Sequence, residues 1–250
     1  MKTELPPLSN CVLFFVAVIS VVYLYNSIAQ RQFIKKQRRP ERPKPGFGFY
    51  MLWNQISLIS FFCITYIIGW DAPSVGLKFE ILPVFSLIIG LIGYCIFVLI
   101  LNTVLNILRI SQIVQNDAYL VSVRLIPRQK LQKTLFWVAV CILNPITEEL
   151  IFRGVLVHQL GIYTNNYYLA IFLGLFVSVG NHIYQGKLHV ITHFVFYIFT
   201  VTLLYSDVGL LGSIGFHLAG DIYPFMWLKY QVNNHKKRRR EERRAKYVSN

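Results

Sequence analysis

Four ionisable residues, Glu148, Glu149, Arg153 and Asp221, lie inside stretches that are otherwise long and apolar enough to cross a bilayer. A charge near the bilayer centre costs about 2.5–3.5 kcal/mol on insertion scales, so its presence points to function and to a partner close by. Three of them share the run Thr147-Glu148-Glu149-Leu150-Ile151-Phe152-Arg153-Gly154, and the fourth closes His217-Leu218-Ala219-Gly220-Asp221. On a helix, Glu149 and Arg153 fall on one face with the glutamate N-terminal, the better order for an ion pair. Glu148 points about 100° away from Glu149. Arg153 can therefore neutralise Glu149 while Glu148 faces elsewhere, and a poorly solvated, unpaired carboxylate suits a general base. The structural alternative, both acids sharing Arg153 as packing glue, leaves the second acid without a purpose.

His217 and Asp221 are four apart and share a face. His182, in Ser178-Val179-Gly180-Asn181-His182, closes another apolar stretch. His189 and His193 are also four apart, but their segment lacks the glutamate that an H-E-x-x-H zinc helix uses as its base, so no metal role is expected there. His158 and His235 read as interfacial or exposed. Within Asn144-Pro145-Ile146-Thr147, the proline is expected to loosen the turn before it, with Thr147 capping a restarted helix and water reaching the acids through the kink.

The elements that carry these residues follow from composition. Hydrophobic residues make up 55% of the 250, mean hydropathy is +0.49, and charged residues are only 14%, well below a soluble domain's usual quarter. The fold expected is an all-α, polytopic membrane helical bundle of about seven transmembrane helices, within a range of about six to eight. The spans are 11–29, 49–70, 81–107, 135–160, 166–184, 188–205 and 208–228. Residues 1–134 then hold N-terminal spans with basic loops, 135–228 the core that bears the ionisable set, and 229–250 a basic tail. With no basic leader or cleavage site before it, the first span is expected to be retained. Cys11, Cys63, Cys95 and Cys141 all lie in apolar runs without C-x-x-C pairing and read as small buried hydrophobes.

The net charge of +14 is unevenly placed. Under the seven-span arrangement, 22 of the 25 lysines and arginines fall on one side, in 30–48, 108–134, Lys187 and the tail. Positive-inside asymmetry makes that side cytoplasmic, with the N-terminus outside and the C-terminus in the cytoplasm of a cell-membrane protein. The basic segments suit anionic lipid, part of 108–134 reads as an amphipathic interfacial helix, and no nucleic-acid recognition motif is present.

Glu148-Glu149-Leu150-Ile151-Phe152-Arg153-Gly154 with Pro145 upstream, His182 about thirty residues on, and His217-x-x-x-Asp221 near the last span together resemble the CPBP intramembrane proteases. That family includes Rce1-type CAAX prenyl endopeptidases and the Abi, or bacteriocin-processing and immunity, proteins. The resemblance covers roughly 135–225. It implies an endopeptidase in which Glu148 activates water with help from His182. His217 and Asp221 would stabilise the oxyanion or orient the water, while Glu149 and Arg153 hold the site together. The substrate implied is a CAAX-like prenylated protein or a bacteriocin-type peptide. Two departures stand out: Ser178 occupies the position where the family usually has phenylalanine, and Asp221 stands where many members have asparagine.

Glu148, His182, His217 and Asp221 can supply peptide hydrolysis without a cofactor. The family has also been labelled metalloprotease, and zinc, if used, would be held by His182, His217 and Glu148. Two further readings compete. A non-catalytic immunity or scaffold protein would keep the fold without the reaction, and a transporter or proton relay would use the same buried groups. The intact motif set favours the enzyme over the first, and the lack of an inverted repeat weighs against the second.

Overall fold

The computed structural model describes residues 7–36, 46–67, 73–78, 81–107, 126–127, 129–185, 187–223 and 226. Among the described residues there are seven helices and no strand. They are α1 (Pro7–Lys36), α2 (Phe47–Ile67), α3 (Pro83–Ile107), α4 (Lys130–Thr164), α5 (Tyr167–Gly180), α6 (Lys187–Tyr205) and α7 (209–223). Each of the seven expected spans falls on one of these helices. The basic tail, most of loop 108–134 with its expected amphipathic helix, and residues 37–45 of the basic stretch 30–48 lie outside the described residues.

Four helices are long and apolar enough to cross a membrane, namely 10–29 within α1, then α2, α3 and α4. Tyr167–Gly180 and His189–Tyr205 are shorter apolar helices. Their outward faces carry large apolar side chains in quantity, among them Phe14, Trp53, Ile92 and Phe172. So much exposed apolar surface is what lipid contact requires and water would penalise. The chain is an integral membrane protein.

Helix α4 is the axis of the bundle. Half of its span is buried, against about a fifth for α1, α2 and α3. Ile151, Phe152 and Val155 pack with Val12 and Val16 of α1, Phe62 of α2 and Val75 of the short turn Pro73–Val75. On its other side, Val157 joins Tyr197, Val201 and Leu204 of α6 and Leu210 and Ile214 of α7. Helix α4 ends at Asn165, whose left-handed φ of 52° turns the chain, and Asn166 caps α5 by accepting from the Leu169 amide.

Pro145 does not break α4. The helix runs through it, preceded by a π-helical stretch, Ala139–Leu143, and soon followed by a longer one, Leu150–Gln159. The Asn144 amide reaches back five residues to the Ala139 carbonyl. A wider turn of this kind takes up the misfit of a residue with no N–H and is the loosened turn expected before Pro145. Thr147 therefore caps nothing. Its hydroxyl faces the Leu143 and Asn144 carbonyls and Gln55 of α2. His158, expected at an interface or exposed, is half-buried and not exposed, beside Gly76 and with its ring 6.1 Å from Tyr205.

Helix α7 is drawn in by α3. At Gly90 a side chain would strike the Gly212 carbonyl and the Phe216 amide, and at Gly215 the Leu87 carbonyl. Small residues are what let two membrane helices approach backbone to backbone. The crossing buries Phe216 against Tyr94 and Phe97 and sets the depth of His217, the next residue.

Gly215→Leu should lower the unfolding midpoint in detergent and the amount of folded protein, since overpacking of this kind costs about 1–3 kcal/mol or more. Gly93→Ala on α3, where a Cβ would meet only Phe216 Cδ2 at 3.6 Å, should leave both near wild type. Equal behaviour of the two variants would show that the close crossing does not hold α7.

Candidate active site

The acids sit on α4 between its two π-helical stretches, where the widened turns re-aim successive side chains. Glu149 is fully buried. Its Oε1 receives Arg153 Nη1 at 3.1 Å, the expected pair one turn apart, and also His217 Nδ1 at 2.7 Å from α7. Arg153 is buried as well and is held from three sides. Its Nε donates to Thr200 Oγ1 at 2.9 Å, and its guanidinium lies 4.8 Å from the centre of the Tyr197 ring, both on α6. The Thr200 carbonyl in turn accepts from Ser213 Oγ of α7 at 2.6 Å. One buried charge pair thus ties α4, α6 and α7 together.

With Nδ1 committed to Glu149, the other ring nitrogen of His217 is left for chemistry. Nε2 lies 3.7 Å from Glu148 Oε2 and 3.8 Å from Asp221 Oδ1. Both separations exceed a direct hydrogen bond and match groups that share a bridging water. Glu148, His217 and Asp221 are thereby brought to one point, with Glu149 and Arg153 behind it. Asp221 is the most open of the set at 26% exposure, against 6% for His217.

His182 lies in the turn after α5, and its ring stacks on His193 of α6 at 3.5 Å between centres, 13° from parallel. His193 packs against Phe196, and Phe196 meets His217 edge-on at 5.0 Å. His182 is thus joined to the His217 region through two α6 rings. His193, which spacing alone makes half of an incomplete zinc pattern, is a stacking partner. Ser178 is buried on α5, two residues after the exposed Phe176.

A zinc ion held as the resemblance implies would need His182, His217 and Glu148 to converge. Among the described residues, no group of three or more histidines, cysteines or acids is disposed to hold a metal ion. His217 Nδ1 is hydrogen-bonded to Glu149, which leaves Nε2 as its outward nitrogen, and the His182 ring is stacked on His193.

Several contributors escape sequence reasoning. Asn144 lies one turn before Glu148 on α4. Gln55 of α2, 2% exposed, donates through Nε2 to Asn144 Oδ1 at 3.0 Å and accepts from Thr147. The available signal was the cost of an amide in an apolar span. That cost does not say which distant residue offsets it.

Residues 130–223 match the family model described as type II CAAX prenyl endopeptidase, Rce1-like. The match covers less than half of the chain and spans α4 to α7, including every residue of the site except Gln55. It agrees with the resemblance drawn from the motifs, and the family is one of proteases. No curated protein and no solved structure matches the chain.

Arg153→Met leaves the buried Glu149 charge with His217 alone and should cost about 3–5 kcal/mol, read as a large fall in folded protein and in unfolding midpoint. Arg153→Lys should recover little, because a lysine has no Nε–H to give Thr200 and no planar group to lay on Tyr197. A lysine variant as stable as wild type would show that charge alone is needed there.

Proposed function

Starting from the Rce1-like segment, we propose that the chain is an intramembrane endopeptidase that hydrolyses a peptide bond at Glu148, His217 and Asp221. The observation that carries this reading is the placement of His217. Nδ1 is fixed by Glu149 at 2.7 Å, and Nε2 stands between Glu148 and Asp221 at water-bridging distances. An imidazole held through one nitrogen by a buried carboxylate, with the other aimed at the reacting groups, is how hydrolases orient a proton-handling histidine.

In the reaction, a water between Glu148 and His217 Nε2 gives its proton to Glu148 as its oxygen attacks the scissile carbonyl carbon. The carbonyl π electrons move to oxygen, and nearby donors take up the oxyanion charge. When the oxyanion collapses, the C–N bond breaks and the proton passes to the leaving amine. His182 assists from the α5 end. Arg153 never meets substrate; it holds Glu149 in place. A purely structural network would not need a second acid and an aspartate on the open side of the histidine.

The substrate is a peptide or lipidated protein, with a prenylated CAAX-type C-terminus the first candidate. Positive-inside asymmetry places the site in the cytoplasmic half of the membrane and the C-terminus in the cytoplasm, with the basic segments on anionic lipid. Nucleic acid has no part in this reading, and no metal is required.

Glu148→Gln should abolish cleavage of a prenylated CAAX peptide in membranes while protein abundance stays normal, and the uncleaved substrate should accumulate. Exhaustive chelation should leave wild-type turnover intact. Full activity in Glu148→Gln would sink the peptidase mechanism, and loss on chelation that zinc restores would replace it with a metal-dependent one.

A further inference from the structure

The hydrogen bond between His217 Nδ1 and Glu149, 2.7 Å long, fixes one corner of the imidazole and leaves its tilt open, because such a bond tolerates a good deal of angular slack. Nε2, on the far side of the ring, swings with that tilt. Its two neighbours, Glu148 Oε2 and Asp221 Oδ1, stand at nearly equal distances of 3.7 and 3.8 Å, and keeping it between them takes a second contact. Phe196 of α6 supplies one: its ring meets the imidazole at 5.0 Å between centres with the planes 72° apart, a preferred aromatic geometry. Phe196 is itself hemmed in by Phe216 at 5.0 Å, His193 at 6.0 Å, and Phe97 and Tyr94 of α3 at 6.3 and 6.5 Å. The two helices are pinned close by, where Ser213 Oγ donates to the Thr200 carbonyl at 2.6 Å. Phe196 and His217 each stand one turn from that bond on their own helices. Gly220 leaves the room: a Cβ there would stand 2.9 Å from Phe196 Cε2 and 3.3 Å from Tyr94 Cε2. A residue without a side chain therefore lets the ring come down on α7 between His217 and Asp221.

We propose that Phe196 is a positioning residue of the catalytic site: its ring, seated over Gly220, holds the plane of the His217 imidazole so that Nε2 stays between Glu148 and Asp221. The catalytic consequence rests on the peptidase reading. Phe196 has no acid, base or hydrogen-bonding group of its own and acts through His217. The tilt matters because a reacting constellation works only within about 0.5 Å and about 10–20° of its productive geometry. Glu149 sets where the imidazole sits, and Phe196 sets how it is turned. Helix α3, outside the matched segment, takes part by backing the ring with Tyr94 and Phe97.

The test uses the full-length chain, with a prenylated CAAX peptide as the probe of turnover and isotope-labelled histidine as a probe that needs no substrate. Phe196→Leu keeps an apolar side chain and loses the ring; kcat should fall about tenfold or more at unchanged KM. Phe199→Leu removes a ring of the same helix that stacks on Phe216 at 5.9 Å. It should lower the unfolding midpoint in detergent and leave kcat within about twofold of wild type. Gly220→Ala pushes on the Phe196 ring from α7, and the nearest atoms its Cβ meets are ring carbons, not backbone. It should lower kcat at constant KM in the otherwise wild-type chain. In the Phe196→Leu background the same substitution should change kcat by less than about twofold, because the ring it displaces is gone. The ring-nitrogen resonances of His217, identified by their loss in His217→Gln, should form one sharp pair in the wild type and in Phe199→Leu, and broaden or split in Phe196→Leu. Wild-type kcat in Phe196→Leu, an equal fall in Phe199→Leu, or effects of Phe196→Leu and Gly220→Ala that simply add would each overturn the proposal. Should Phe196→Leu fail to fold, Gly220→Ala decides alone: a fall in kcat at constant KM with split His217 resonances supports the proposal, and wild-type behaviour in both overturns it. If the wild-type chain cleaves no prenylated CAAX peptide, that substrate reading fails; split His217 resonances in Phe196→Leu then still support the positioning role, and an unchanged pair overturns it.

Discussion

Burying a carboxylate among apolar helices is the constraint around which the molecule is arranged. Glu149 has no exposed surface and is answered by Arg153 from its own helix and His217 from α7. Arg153 brings the same problem with it and is answered by Thr200 and Tyr197 of α6. Each solution recruits another helix, and the result is a polar spine through α4, α6 and α7 in an otherwise apolar bundle. Removing one partner strands a charge, which is far costlier than replacing the whole pair by packed hydrocarbon. Such a spine is poor economy for stability alone. It makes sense when His217, held by it, has work to do.

The backbone serves the same end. Two π-helical stretches flank the acids on α4, and each gives up regular i→i−4 bonding. Glycines at the α3–α7 crossing bring helix α7 close enough for His217 to reach Glu149. The matched segment, 130–223, carries the reacting groups, while α1, α2 and α3 wrap it and α2 adds the amide of Gln55.

Much of this was legible in the sequence, and the reason is physical. A charge in an apolar run is conspicuous because its cost is large, so Glu148, Glu149, Arg153 and Asp221 announce themselves. Spacing of four then gives the Glu149–Arg153 pair directly. Seven apolar runs gave seven helices. The uncharged contributors stayed hidden, since one amide or hydroxyl in a span is ordinary and its partner lies far off in the chain, as with Gln55 and Asn144. Pro145 signalled its missing N–H and a loosened turn before it, which Ala139–Leu143 supplies, but not that the helix would run on without a restart for Thr147 to cap. His189 and His193 showed helical spacing only, and the stack on His182 needs the turn after α5 to be in place.

The exposures of the polar groups fall in an ordered series, from Asp221 at 26% through His217 at 6% to Glu149 at 0%. An acid with no surface of its own cannot trade protons with bulk solvent directly. Whatever reaches Glu149 must first pass a group that touches both it and the open side, and the His217 ring does so, with one nitrogen on each. The buried acid is therefore separated from the open side by one imidazole ring. In electrical terms, Asp221 is the terminal, His217 the resistor and Glu149 the stored charge.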